Sequence, residues 1–214
     1  MLESIHVEIT RGALEPHFSG RALKAILRAN LGQDALRGQI GHDEYHFDNN
    51  AFTESRAYIE RQRSLVISAL QADQAMQAWS AFGRLIHTAQ DFYAHSNYVA
   101  LWLARYGEST LPLPDKIDPV DPGLIASPEL RSGSIYYPQE ALYFVPGLRK
   151  FALSILPRDS HAHMNLDSAD RGPNFPYAFA AAIKRTQLEF EQMKSQLSPE
   201  SLLLFTGSLN REGK

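Results

Sequence analysis

Cysteine is absent from this chain, which excludes disulfides and thiolate metal sites, so any zinc here would be held by His and carboxylates. Strong net charge is lacking too. The 21 basic and 24 acidic residues give −3, too mild for a basic surface that grips nucleic-acid phosphates. No apolar run could span a bilayer, and the opening Met-Leu-Glu-Ser-Ile-His-Val-Glu-Ile-Thr has no apolar core of a cleaved leader. The expectation is therefore a soluble protein without a transmembrane segment, cytoplasmic or exported by a leaderless route. Strand signals are sparse, with short β-branched runs and no Asn-Gly or Asp-Gly turn joining alternating segments. A Gly-rich phosphate loop, a nucleophile elbow and a Ser-His-Asp ordering are also missing.

What is present is helical periodicity. Residues 5–30 predict one helix or two short ones, with Ile5, Ile9 and Leu14 before Pro16 and Leu23, Ile26 and Leu27 after Gly20. A helix runs from Thr53 or Ser55 to about Ala72. The strongest pattern follows from Ala75 through Trp79, Phe82, Leu85, Ile86, Ala89 and Phe92 toward Val99 and Leu103. Seven prolines between Gly107 and Pro146 forbid a continuous helix there and predict an ordered excursion or lid, since Tyr136, Tyr137, Leu142, Tyr143 and Phe144 are costly to expose. A short helix over 147–156 and a final amphipathic one from Tyr177 to about Leu197 complete an all-α bundle, expected as a single domain over 1–214. Two irregular segments, about 32–53 and 157–176, are rich in His and Asp.

Six of the eight histidines cluster beside carboxylates: His42 and His46 near Asp48, His87 and His95 around Asp91, His161 and His163 before Asp167. Positions i, i+4 and i+8 of a helix advance about 40° each, so His87, Asp91 and His95 share a stripe roughly 80° wide. His87 and His95 would then lie about 12 Å apart along the axis, too far for one zinc at bonds of about 2.0–2.1 Å. The spacing thus predicts two ions with Asp91 between them as a bridge. The ordinary alternative for one such pair is a surface contact or a hydrogen-bonded buried His. Repetition at His163-Met-Asn-Leu-Asp167 and His46-Phe-Asp48 tips the balance toward metal. Tyr93 and Asn97 are candidates for substrate contact, although packing is the simpler role for Tyr93.

Four stretches, namely His6 to Leu14, Tyr45 to Asn49, Leu85 to Tyr98 and His161 to Asp167, together resemble the zinc-dependent phospholipase C and single-strand nuclease superfamily, in its Het-C-like branch. The resemblance implies a bundle of the zinc phospholipase C type with two or three zinc ions. In it His87 would ligate the first zinc, Asp91 would bridge first and third, and His95 would belong to the second with Asp167 and either His161 or His163. His6 would serve the third site, Asp48 would be a ligand or the base beside the attacking water, and His46 a ligand or its supporting partner. No amino-terminal Trp is present for the third site, leaving that place to His42 or His46 or unfilled. The implied activity is phosphodiester hydrolysis by a zinc-bound hydroxide, on a phospholipid at a membrane surface in preference to nucleic acid. The rival reading is a non-catalytic zinc-stabilised helical module with 107–146 as its interface.

Overall fold

The computed structural model describes residues 1–35, 38, 41–107, 110–145 and 147–208, with the backbone alone at residue 144. Pro146, the last proline of the expected excursion, lies outside these residues, as do residues 36, 37, 39 and 40 of the irregular segment 32–53.

The helices, in chain order, are α1 (Glu3–Leu14), α2 (Gly20–Leu31), α3 (Asp43–His46), α4 (Phe52–Gln71), α5 (Ala75–His95), α6 (Tyr98–Leu103), α7 (Pro122–Ile125), α8 (Arg149–Ile155), α9 (His161–Met164), α10 (Phe175–Gln196) and α11 (Pro199–Thr206). Short 3-10 turns lie at Gly32–Asp34, Asp48–Asn50, Pro114–Lys116, Gln139–Phe144 and Ala169–Arg171. The all-α class expected from periodicity is what forms. Among the described residues strand pairing is confined to the isolated bridges Ser96 to Ser132 and Ser134 to Ser160. No helix among them is long and apolar enough to cross a membrane.

Local chemistry sets the helix ends. Pro16 follows the last turn of α1, and Ser19 caps α2 by accepting from Ala22 N. Ser198 caps α11, Pro199 occupies its first turn, and Gly207 leaves it in the left-handed region at φ 72°.

Helix α5 is the axis of the molecule. From Ala81 to His95 all residues but Arg84 are buried, which explains why its sequence is apolar around most of its circumference. Helices α2, α4 and α10 pack around it, and α1 lies along α10. Gly83 permits the closest crossing: a Cβ there would sit 2.3 Å from the Ile26 carbonyl oxygen on α2. Phe82, Leu85, Ile86 and Tyr93 are fully buried, and Phe18, Phe82 and Phe205 make an aromatic cluster closed by a Trp79 Nε1 bond to the Phe205 carbonyl. The helical pattern expected to continue toward Leu103 instead breaks at Ser96, whose extended backbone pairs with Ser132, and restarts as α6.

The proline-rich excursion is tied down through its carbonyls, which no regular ladder satisfies. Tyr98 and Tyr177 hydroxyls donate to Asp118 and Pro112, and Lys184 Nζ donates to Ile117. Its later part, 131–135, is threaded between three other segments. Asn49 N donates to Gly133 O, Gly133 N to His95 O, and His161 N to Ser134 O. A Cβ on Gly133 would come within 2.5 Å of His161 Cα, so the backbones meet there only because the residue is glycine.

Candidate metal centre

Helix α5 carries His87, Asp91 and His95 along one side, as the four-residue spacing requires, and two groups of donors form around them. In the first, α1 contributes His6, the turn after α2 contributes Asp34, and α3 contributes His46. His6, His87 and Asp91 are fully buried, and Asp34 keeps 13% of its side chain exposed.

The orientation of these rings follows from a chain of hydrogen bonds. Thr186 Oγ1 donates to Ala182 O, so toward Gln90 it can only accept, and Gln90 Nε2 donates to it at 3.0 Å. Gln90 Oε1 therefore faces His6 Nδ1 at 2.6 Å and Asn30 Nδ2 at 3.1 Å. His6 carries its proton on Nδ1, and its bare Nε2 points 3.2 Å from Asp91 Oδ1. Asn30, fixed by the same amide, turns Oδ1 to His87 Nδ1, leaving His87 Nε2 bare and 3.1 Å from Asp91 Oδ2. His46 Nε2 bonds the Gly38 carbonyl, so its Nδ1 is the bare atom, 2.9 Å from Asp91 Oδ2 and 3.2 Å from His87 Nε2.

Three nitrogen lone pairs thus converge on one buried carboxylate, an arrangement that repels unless a cation or protons lie between them. Among the described residues neither His6 Nε2 nor Asp34 Oδ2 has a hydrogen-bond partner. Separations of 3.1–3.8 Å from the donors of His6 and His87 to those of Asp34 and Asp91 bracket the edge of about 3.3 Å that a tetrahedral zinc with bonds near 2.0 Å requires. The residues fit a divalent ion.

The second group is Asp48, His95, His161 and Asp167. His95 Nδ1 bonds the His46 carbonyl at 2.9 Å, and Nε2 faces Asp167 Oδ1 at 3.2 Å. His161 Nδ1 bonds Asp48 Oδ1 at 2.8 Å, and Nε2 lies 4.0 Å from Asp167 Oδ2. Asp91 Oδ1 is 4.0 Å from His95 Nε2, so this carboxylate sits between both groups. The Met1 amine lies at the junction, 2.6 Å from Asp91 Oδ1 and 3.3 Å from Asp167 Oδ1.

The buried carboxylates bias the protonation of the basic groups around them. Burial resists charge on His161, yet Asp48 and Asp167 raise its pKa to about 9; burial likewise opposes the Met1 ammonium, but Asp167, Asp91 and Asp34 lift it to about 11. His46 is raised against its burial by the Asp91 bond and charge. For His87 burial wins over Asp91 and pushes the pKa down to about 4, keeping its ring neutral. Asp48 and Asp91 are held low against burial, the first by His161 and His95 and the second chiefly by the Met1 amine and His95.

Not every expected residue arrives. His163 turns outward, where Nε2 bonds Leu153 O, because two residues of helix rotate it about 200° from His161. Tyr93 is likewise two positions from Asp91 and donates to the Pro119 carbonyl in the core, so it cannot meet a substrate at these donors. Asn97 bonds Glu129 O and Arg131 N and holds the excursion. Asp34 was absent from the expected set. Its only sequence signal is its place in the His- and Asp-rich segment just past α2.

Two clefts on the surface, of about 460 and 230 Å³, lie elsewhere: the larger between α4 and α5 around Ala69 and Gln77, the smaller around Phe47, Phe92 and Arg185.

A family model described as VWA7 N-terminal domain matches residues 6–116, just over half of the chain. The von Willebrand factor A domain-containing protein 7 of Rattus norvegicus is 34% identical over 88 residues, which is 39% of this chain and 10% of that protein. The proteins of the same name from Mus musculus and Homo sapiens are 33% and 36% identical over 90 and 81 residues, 40% and 37% of this chain and 10% and 9% of theirs. The matched part therefore spans about a tenth of those relatives' length. No solved structure matches the chain.

These matches overturn the expected membership in the zinc-dependent phospholipase C and nuclease superfamily, and with it the phospholipase C-like phosphodiester hydrolase function. The physical reason is that His-x3-Asp-x3-His records the geometry of a helical stripe. Any bundle with a polar centre can present it, so the motif carries ligand geometry without specifying lineage or reaction.

Proposed function

The chain belongs to the VWA7 N-terminal domain family, and from that premise we propose that it is a metal-holding helical domain, its helices joined by a buried divalent cation among His6, Asp34, His87 and Asp91, with His46 a further donor beside them. Zinc is the ion that best suits a mixed imidazole and carboxylate set without thiolate. The observation that carries this reading is the convergence of three bare imidazole nitrogens on Asp91, with His6 Nε2 and Asp34 Oδ2 buried and without a hydrogen-bond partner among the described residues. A second ion has its donors in Asp48, His95, His161 and Asp167, with Asp91 between the two.

Closure of the first group favours a structural role. A catalytic zinc keeps an open position, whereas here His6, His87 and Asp91 are fully buried and the cation would link α1, the turn after α2, α3 and α5. Metal binding of this kind is folding free energy. The test is metal analysis of the purified chain combined with thermal melts before and after chelation. One or two zinc per chain and a lower Tm on chelation support the proposal; a metal-free chain whose Tm ignores both zinc and chelator refutes it.

A further inference from the structure

The smaller surface cleft, of about 230 Å³, is lined from α4, α5, α7 and α10 together with Phe47 at the end of α3. Phe47, Ile59, Ala89 and Phe92 are buried and give it an apolar floor, joined by the half-buried Ile125. Ala89 is two positions from Asp91, about 200° around α5, so the cleft opens on a different side of that helix from the metal donors. Phe47 takes a left-handed backbone, φ 59°, uncommon for a bulky residue, and its ring packs edge-on to Phe92 with centroids 5.0 Å apart.

Two guanidinium groups line the same cleft. Arg185 of α10 is mostly enclosed, with 23% of its side chain exposed; its Nε and Nη2 both donate to Glu189 Oε1 at 2.7 Å, and the Tyr93 hydroxyl lies beside it. These partners use at most three of the five N–H donors that a guanidinium carries. Arg56 of α4 is exposed and donates from Nη2 to Ile125 O at 3.2 Å, and no carboxylate pairs with it among the described residues. Glu60 also lines the cleft, but it is paired with Arg63, which in turn pairs with Glu189. Arg56, Ile59, Glu60 and Arg63 fall within about 100° around α4, so one face carries them all. Three arginines (Arg56, Arg63, Arg185) against two glutamates (Glu60, Glu189) leave one positive charge uncompensated.

We propose that this cleft binds a small organic carboxylate, its apolar body against Phe47, Ile59 and Phe92 and its charged end on Arg56 and Arg185. One uncompensated charge matches a monoanion. A phosphate dianion would press its remaining oxygens onto an apolar floor that offers them no donor. The volume equals that of about eight waters at roughly 30 Å³ each, too small for a peptide, and the two arginines repel a cation. None of the lining residues belongs to either donor group, so the proposal stands apart from the metal reading.

A nuclear magnetic resonance titration of the full chain with 3-phenylpropionate, its neutral amide and inorganic phosphate tests it. The expected result is saturable binding of the carboxylate, with shifts centred on Ile59, Ala89 and Ile125, and binding of the amide and of phosphate weaker by about tenfold or more. Arg56→Gln, an exposed change, should weaken the carboxylate about tenfold, and Ile125→Trp, which fills the cleft, should abolish its binding. Arg185 is kept, since its removal would leave Glu189 buried with one cation fewer. An unchanged helical circular dichroism spectrum confirms the fold of each variant. The proposal is overturned if the wild-type chain shows no saturable binding of 3-phenylpropionate up to about 10 mM, if the amide or phosphate binds as tightly, or if either variant binds as the wild type does.

Discussion

His6 and His87 are turned by amide and hydroxyl side chains buried between helices, whereas His95 and His161 are placed by the backbone of a loop. In the first group Gln90, Asn30, Thr10 and Thr186 are all fully buried and form a polar network with assigned donors and acceptors. In the second, residues 131–135 run between Asn49, His95 and His161 and hold them by main-chain bonds. The first group also lies wholly within the segment 6–116 that matches the family, while His161 and Asp167 lie beyond it. One arrangement should fail through loss of a polar partner, the other through loss of backbone room.

The largest expected effect is common to both groups. Holding free zinc at 1,000 times its Kd stabilises a fold by about 4 kcal/mol, which for a chain of this size is a chelation-induced fall in Tm of roughly 8–16 °C. Asp91→Asn, which removes the carboxylate charge between the groups, should abolish that fall in a calorimetric scan. Next comes Gly133→Val. Its side chain meets the His161 backbone and should cost about 1–3 kcal/mol in denaturant unfolding while lowering zinc at the second group alone. Gln90→Leu should weaken zinc at the first group about 10–100-fold in a competition titration and spare the second, because His6 loses the acceptor that fixes its tautomer. Equal losses at both groups in either variant would break the distinction. His163→Ala, which removes one exposed bond to Leu153 O, should leave zinc content unchanged and cost less than about 1 kcal/mol.

The fold class was legible because α5 and α4 keep helical periodicity over twenty residues or more, enough to outweigh local ambiguity. The stripe of His87, Asp91 and His95 was legible for the same reason: four-residue spacing on one helix is geometry. The choice between His161 and His163 was not, since both precede Asp167 and only the Ser160 cap of α9 fixes which one faces inward. Tyr93 could have been placed from its two-residue offset to Asp91, which turns it to the far side of α5. Asp34 could not, because its partners lie 28 residues before and 53 or more after it in sequence, at His6, His87 and Asp91. The reaction and the family were misread because ligand spacing is a property of helices, shared by unrelated proteins.

Crystals of the zinc-loaded chain, with an anomalous difference map collected at the zinc edge, would test the central claim most directly. The account predicts a peak between His6 Nε2, His87 Nε2 and Asp91, about 2.0–2.2 Å from each ligand atom, with Asp34 as the fourth ligand and His46 beside them. A map with no peak there, in a chain whose His6, His46 and His87 rings keep the same orientations, would contradict it.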